Sequence, residues 1–217
     1  MRIDKDSHGT IAVAWLFSLG VIALLWCFVP QLWITIPLSL FFLVFMCFVT
    51  WFFRVPDRVG PEGDNLITSV CDGKVVIVEK TFEKEYLKRE CIQVSVYMDF
   101  FDVHCNFWPA EGEVTYYKYH PGKYLLAFHP KSSELNEHAS SAIRVTGGEE
   151  ILFKQIAGTF ARRIVCYSKP GLPTVRGEQC GVIKFGSRID MFLPLDADIR
   201  VKVGDHTRAI ETVIAVL

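Results

Sequence analysis

An uncharged stretch near the N-terminus limits what this chain can fold into. From Ile11 to Phe53 the sequence contains no Asp, Glu, Lys or Arg, and Pro30-Gln31 interrupts the apolar run near its middle. The two halves, residues 11–29 and 32–53, are each long enough to cross roughly 30 Å of hydrocarbon as a helix. No polar face recurs at helical spacing, which argues against a buried hairpin in a soluble core. We therefore predict a transmembrane or membrane-embedded α-helical hairpin.

Positive charge flanks the apolar run on both sides. Arg2 and Lys5 precede it, and Arg54 and Arg58 follow it. Because cytoplasmic segments next to membrane spans carry an excess of Lys and Arg, both ends are expected on the cytoplasmic side of the cell (inner) membrane. A hairpin that dips into one leaflet satisfies the same pattern.

A Pro/Gly-rich connector, residues 55–63, separates the apolar run from the remainder of the chain. Beyond it, short runs rich in apolar residues are divided by turn signals. The pattern predicts a membrane hairpin, residues 1–54, and one mostly β domain of the sandwich or barrel kind, residues 55–217. The predicted strands cover residues 74–78, 91–98, 113–119, 142–145, 151–156, 162–167, 182–185, 189–193 and 199–203, with a short helical turn at 157–162.

Charge argues against a nucleic-acid binder, and cysteine spacing argues against a disulfide-bonded or zinc-binding protein. The formal net charge of −1 lacks the basic excess of a nucleic-acid binder, so no nucleic-acid partner is expected. The seven Cys residues form no CxxC pair and no Cys/His ligand spacing. They are expected to be buried thiols in a reducing compartment, and no metal site is expected.

The segment Lys184–Asp190 contains the pattern most suggestive of chemistry. It is predicted to be a strand, a Gly186-Ser187 break and a second strand. A Gly-Ser pair can hold a bent peptide in which the Ser hydroxyl lies close to the preceding carbonyl. The hydroxyl could then attack the Gly186 carbonyl and convert the amide into an ester. A β-bulge or tight turn with a surface Ser is the structural alternative.

The longer segment around this pair, residues 177–194, resembles the C-terminal signature of phosphatidylserine decarboxylases, in the short branch that carries FGSR. The resemblance extends over residues 64–194. It implies a proenzyme that cuts itself between Gly186 and Ser187 and turns Ser187 into a pyruvoyl group. That group would form a Schiff base with phosphatidylserine and release CO₂ to give phosphatidylethanolamine. The cleaved chains would remain associated, and a homodimer is allowed.

Two further motifs carry residues that the resemblance assigns to catalysis. Asp72 lies in Ser69–Val75, which matches the family's S-P-x-D-G-K-V segment with Val in place of Pro, and it resembles the acidic member of an Asp-His-Ser set. His104 matches the first of two family histidines, whereas Phe107 stands in the place of the second. The self-cleavage base is therefore left open among His104 and two later histidines, His129 and His138.

Candidate substrate contacts come from the segment that follows. Residues 121–124 resemble the family's P-G-K segment, and residues 136–138 resemble its N-E-R segment with His in place of Arg. The resemblance suggests Lys123, Asn136, Glu137 and His138, together with Lys131, as contacts to the lipid headgroup. Two other functions fit parts of the sequence: a non-enzymatic membrane-tethered β-domain, and a pyruvoyl decarboxylase of a soluble amino acid.

Overall fold

A computed structural model describes residues 2–125, 135–158, 163–184 and 187–217. It divides the chain into two units, Met1–Asp57 and Arg58–Leu217. The predicted fold class is confirmed, since a helical hairpin in the first unit precedes a mostly β second unit. The predicted helical turn at residues 157–162 falls largely outside the described residues.

The first unit consists of a short 3₁₀ turn, Lys5–Ser7, and helices α1 (His8–Phe28) and α2 (Leu32–Phe52). Strands β1 (Arg2–Ile3) and β2 (Arg54–Val55) pair antiparallel and bring the two ends of the hairpin together. Two indole N–H groups on α1 donate hydrogen bonds to hydroxyls on α2, Trp15 to Thr50 at 3.0 Å and Trp26 to Ser39 at 3.2 Å. Both helices are long and apolar enough to cross a membrane, and most of their large apolar side chains are exposed.

The second unit is built from antiparallel strands. They are β3 (Leu66–Thr68), β4 (Gly73–Glu83), β5 (Arg89–Met98), β6 (Cys105–Phe107), β7 (Gly112–His120), β8 (His138–Val145), β9 (Glu150–Ala157), β10 (Ile164–Cys166), β11 (Pro173–Thr174), β12 (Gln179–Ile183), β13 (Ser187–Leu193), β14 (Asp198–Ile199), β15 (His206–Thr207) and β16 (Val213–Val216). The main sheet has eight strands in the order β11-β7-β8-β9-β13-β5-β4-β15. Two three-stranded sheets have the orders β10-β12-β6 and β14-β16-β3.

Both faces of the main sheet are buried at its central strand, β13. Ile189 and Met191 belong to the main apolar core. Arg188 and Asp190 alternate with them, are fully buried, and form a two-bond ion pair with N–O distances of 2.8 and 2.9 Å. The alternation of charged and apolar residues over 188–191 therefore does not mark a solvent-exposed face, because the ion pair is buried as deeply as the apolar side chains.

The prediction of a strand over residues 199–203 is wrong beyond Ile199, where β14 ends. A turn follows, in which the Asp205 N–H donates to the Lys202 carbonyl at 3.1 Å. The Asp205 carboxylate in turn accepts a 3.0 Å hydrogen bond from the Lys202 N–H. Side-chain closure of a turn by Asp competes with extended backbone, and apolar alternation alone does not reveal it.

Candidate active site

The predicted cleavage position lies between two strands that belong to different sheets. Strand β12 ends at Ile183 in a three-stranded sheet, and β13 begins at Ser187 in the middle of the main sheet. In the register of β13, Ser187 is opposite Met98 on β5 and Ala157 on β9. Gly186 lies outside the described residues. Ser187 therefore starts a strand whose backbone is fixed from both sides.

His104 is placed beside the strand that leads to this position. Its carbonyl accepts a 3.1 Å hydrogen bond from the Ile183 N–H, and the next residue, Cys105, pairs with Val182. The imidazole is fully buried, with Nδ1 at 3.0 Å from the Asp102 carbonyl. Because a carbonyl oxygen only accepts, Nδ1 carries the proton. In the neutral ring, Nε2 then holds the lone pair and is the atom able to take up a proton.

Asp72 lies on a neighbouring turn, and its carboxylate is held by a two-pronged interaction with the Arg58 guanidinium. The Arg58 Nη2 to Asp72 Oδ2 distance is 2.8 Å, and the Ala209 N–H donates to Oδ1 at 2.8 Å. Burial, followed by the charges of Asp99 and Asp72, raises the pKa of Asp102. The Asp72 charge therefore affects the ionisation of Asp102, which lies two residues before His104.

The predicted substrate segment lies at the end of β9, next to the start of β13. The Asn136 amide accepts from the Leu125 N–H at 2.9 Å and donates to the Leu125 and Ala157 carbonyls, both at 2.8 Å. Ala157 is also the residue opposite Ser187. Asn136, which is only 1% exposed, therefore fixes the chain close to the candidate cleavage position.

The remaining candidates of this segment differ in exposure. Lys123 is exposed, and its backbone exchanges hydrogen bonds with the N–H of Glu137 and the carbonyl of Leu135. Glu137 is 3% exposed, and its Oε2 has no hydrogen-bond partner within the described parts of the chain. His129 and Lys131 lie outside the described residues.

Gly122 allows the backbones of the P-G-K and N-E segments to lie next to each other in the fold. A Cβ on Gly122 would lie 2.3 Å from the Asn136 carbonyl carbon and 2.4 Å from the Glu137 nitrogen. Atoms do not approach this closely, so any larger residue would push the two backbones apart. Gly122 therefore permits the close approach that seats Asn136 beside Ala157.

Comparison with known proteins shows relatives over nearly the whole chain. The sequence profile of the family "Phosphatidylserine decarboxylase" matches residues 45–215. The chain belongs to the phosphatidylserine decarboxylase family. It is 49% identical over 167 residues to a phosphatidylserine decarboxylase proenzyme of Amoebophilus asiaticus, covering 77% of this chain and 74% of the relative. It is 41% identical over 219 residues to the proenzyme of Cytophaga hutchinsonii and 38% identical over 219 residues to that of Porphyromonas gingivalis, in each case covering 99% of this chain and 98% of the relative.

The sequence did not single out one buried pair of amide side chains in this phosphatidylserine decarboxylase family member, Gln155 and Asn106. The Gln155 Nε2 donates to the Asn106 Oδ1 at 2.8 Å, and both side chains are fully buried. Gln155 lies opposite Ile189 of β13, and Ile189 is two residues after Ser187. Its Oε1 is buried without a hydrogen-bond partner among the described residues. This buried oxygen can accept a hydrogen bond from an N–H or O–H donor.

A second cluster of polar side chains in this family member surrounds His138. This residue begins β8 and lies opposite His120 on β7. The two imidazole rings stack with centroids 4.4 Å apart. His120 Nε2 lies 2.6 Å from the Glu85 carboxylate, and Lys154 Nζ lies 2.9 Å from the same group. Burial opposes ionisation of Glu85, but hydrogen bonds from Lys154, His120 and Ser140 outweigh it and lower its pKa to about 2. The sequence pointed to His138 alone, because no motif links it to residues so distant along the chain.

Proposed function

We propose that this protein is a phosphatidylserine decarboxylase, made as a proenzyme that cuts itself between Gly186 and Ser187. The match of the family profile to residues 45–215, which contain every candidate catalytic residue, carries the proposal. The substrate would be phosphatidylserine and the products phosphatidylethanolamine and CO₂. The proenzyme names of the relatives agree with a chain that is processed before it acts.

Strand pairing supports cleavage without separation of the products. The large piece would end after β12, which is held by β10 and β6. The small piece would begin with β13, held by β5 and β9, and would also contribute β15 to β4 and β16 to β3. Since each side of the cut keeps its own ladder of hydrogen bonds, breaking one peptide bond leaves both pieces in the fold.

The surroundings of Ser187 fit a pyruvoyl group at the new N-terminus. The β13 backbone is fixed on both sides from Ser187 onward, so a group at this N-terminus would be held in one place. A pyruvoyl carbonyl at this position would supply an electron sink for the pair released when CO₂ leaves. The chain's own residues would have to position the headgroup, exclude water and move protons.

His104 is the proposed proton-transfer residue. Its buried position and its hydrogen bond to Ile183, near the end of the strand before Gly186-Ser187, support this role. With Nδ1–H held by the Asp102 carbonyl, Nε2 can take the Ser187 hydroxyl proton during self-cleavage. The same atom can deliver a proton to the carbon from which CO₂ has left. One imidazole would then serve two steps, which suits a chain with Phe107 in the place of a second histidine.

Asp72 is proposed to act on the same site through its charge. Its contacts with Arg58 and the Ala209 N–H hold the carboxylate in one position. A fixed negative charge near the His104 segment favours the protonated imidazole, which the first proton transfer produces and the second consumes. Lys123, the exposed cation of the neighbouring segment, is the proposed contact to the lipid phosphate.

The apolar hairpin is proposed to hold the enzyme at the cell (inner) membrane, with the β unit on the cytoplasmic side. The exposed apolar surfaces of α1 and α2 support the membrane attachment, since exposing two such helices to water is unfavourable. Deleting residues 1–53 should leave a β unit that still cuts itself. The truncated enzyme should lose activity on bilayer phosphatidylserine far more than on a short-chain soluble analogue. Equal losses on both substrates would contradict a role in substrate delivery.

Mass spectrometry of the purified full chain tests the proposed function directly. The small piece, 31 of the 217 residues of a 24.7 kDa chain, should have a mass of about 3.5 kDa and an N-terminus without an amine. Ser187→Ala should remain one intact chain and be inactive. An uncut wild type that decarboxylates phosphatidylserine at full rate would overturn the proposal.

A further inference from the structure

Three side chains with metal-binding atoms meet on the edge of a cavity in the β unit. They are Glu85, in the turn between β4 and β5, His120, at the end of β7, and His138, at the start of β8. Their ligand atoms all lie within 4.8 Å of one another. We propose that these three residues bind a divalent transition-metal ion, and that Zn²⁺ fits the set best.

The ligand types and spacing agree with a tetrahedral zinc site. Two imidazoles and one carboxylate are a recurrent zinc ligand set, with metal–ligand distances near 2.0–2.2 Å. At such distances two tetrahedral ligand atoms are about 3.3 Å apart. The ligand-atom separations here range from 2.6 Å, between His120 Nε2 and Glu85 Oε1, up to the 4.8 Å limit. Changes of at most about 1.5 Å in these separations, shared between two side chains, would bring the three atoms to a common ion.

His138 is already oriented as a metal ligand. Its Nδ1 lies 2.7 Å from the Asn136 carbonyl, so Nδ1 carries the proton and the neutral ring has its lone pair on Nε2. Metal-bound histidines are commonly fixed by a hydrogen bond of this kind from the second ring nitrogen. Stacking on His120 at an interplanar angle of 14° further restricts the ring.

Glu85 is held by hydroxyl groups that would remain in place around an ion. The Ser140 hydroxyl donates to Oε2 at 2.9 Å, and the Tyr116 hydroxyl donates to Oε1 at 3.2 Å. These groups orient the carboxylate without competing for a cation's charge. An ion would replace the 2.6 Å hydrogen bond from His120 to Glu85, and the proton on His120 Nε2 would be released to solvent or move to Nδ1.

The local charge balance favours a cation despite a nearby ammonium group. Lys154 Nζ lies 2.9 Å from Glu85 and 3.3 Å from Glu83. Two carboxylates against one ammonium leave a net charge of about −1 when both imidazoles are neutral. Lys154 therefore offsets only one of the two acidic groups, and the other can neutralise part of the charge of an ion.

The cavity next to the cluster gives room for entry and for a further ligand. It has a volume of about 380 Å³ and is lined by Glu85, His120, His138 and Lys154 together with Gln93 and Phe192. His120 and Glu85 are partly exposed, at 25% and 14% of their side-chain surface. Water can therefore reach the site and complete the coordination of a bound ion.

A bound ion would tie together elements that are distant in sequence. Glu85 belongs to the β4–β5 turn, and the two histidines bracket the segment that contains Lys123 and Asn136. Fixing both ends of this segment would stabilise the folded β unit. The inference concerns metal binding and holds whether or not the chain decarboxylates phosphatidylserine.

Titration of the full-length protein in detergent with ZnCl₂, after stripping with a chelator, tests the site. One Zn²⁺ should bind per chain, and saturating Zn²⁺ should raise the thermal unfolding midpoint by several degrees. His120→Gln, His138→Gln and Glu85→Gln should each weaken binding by at least about tenfold. His206→Gln is the matched control, since His206 is exposed and outside the cluster, and it should bind like the wild type.

A second titration, with Co²⁺, identifies the ligands without relying on variants that fail to fold. Binding through the cluster should give the visible d–d bands of a nitrogen- and oxygen-ligated ion with no thiolate charge-transfer band. A thiolate band would assign the ion to one of the seven cysteines and overturn the proposal. So would a folded wild type with no stoichiometric binding, or a folded triple variant that binds as the wild type does.

Discussion

His104 and His138 have the same local geometry and different surroundings. In each, Nδ1 is hydrogen-bonded to the carbonyl of the residue two positions earlier, at 3.0 Å to Asp102 and at 2.7 Å to Asn136. In each, the neutral ring therefore keeps its lone pair on Nε2. His104 is fully buried beside the strand that enters the cleavage position, whereas His138 stacks on His120 at the edge of a cavity.

The difference shows that the tautomer is a local property and the role is a tertiary one. Burial beside the strand that enters the cleavage position suits a residue that passes protons to a reacting group. A neighbouring imidazole and a carboxylate suit a residue that shares an ion. Burial, as the main cause, lowers the pKa of His138, and the charge of His120 acts in the same direction. This direction favours the neutral form of His138, which is the form that binds a metal ion.

The sharpest test of the contrast exchanges each histidine for glutamine. His104→Gln should reduce turnover by about 100- to 10,000-fold, because it removes the proposed proton-transfer group. His138→Gln should cause a much smaller loss of turnover and a larger loss of zinc binding. Cleavage is measured by mass spectrometry and turnover by CO₂ release, with His206→Gln as the control. A loss of turnover in His138→Gln as deep as in His104→Gln would transfer the proton-transfer role to His138.

The next largest effect is expected at the carboxylate on the His104 side. Asp72→Asn should destabilise the fold by about 3 kcal/mol, since it leaves the Arg58 guanidinium, 9% exposed, without its charged partner. Chemical denaturation of the uncleavable Ser187→Ala background measures this cost.

The double variant Arg58→Met with Asp72→Asn separates structure from chemistry. Removing both charges should recover most of the lost stability, because no unpaired charge remains. In the native Ser187 background the double variant should still mature slowly if the Asp72 charge assists His104. Wild-type maturation in the stabilised double variant would show that Asp72 has only a structural role.

A smaller effect is expected on the His138 side from Gly122→Ala. The added methyl group would collide with the Asn136–Glu137 backbone, so the fold should lose about 1–3 kcal/mol. Gly147→Ala is the matched control, because its Cβ would meet Asn65 at an ordinary 3.6 Å. Thermal unfolding of both variants checks the prediction, and equal midpoints would contradict the close approach at Gly122.

The smallest effect is expected from Ser140→Ala, which removes one hydrogen bond to Glu85. The loss should be about 1 kcal/mol, typical of a single partly buried hydrogen bond. Thermal unfolding without metal measures it. A loss above that of Gly122→Ala would mean that the Glu85 cluster contributes more to the fold than the segment at Asn136.

The sequence by itself determined the features that depend on local pattern. An uncharged run from Ile11 to Phe53 can form two apolar helices, and these are present as α1 and α2. Alternation and turn residues located most strands of the β unit, because side chains on a strand face opposite sides in turn. The spaced motifs around Asp72, His104 and Ser187 identified the family, since their order along the chain is specific.

Tertiary structure alone decided which charged groups meet. Arg58 and Asp72 are 14 residues apart, and Glu85 and His120 are 35 apart, with no motif to link either pair. Their contacts depend on strand order and register, and a shift of one residue would turn His138 to the opposite face of the sheet. A pattern read along one strand carries no information about the strand beside it, so the position of an ion pair or a metal site follows only from the folded sheet.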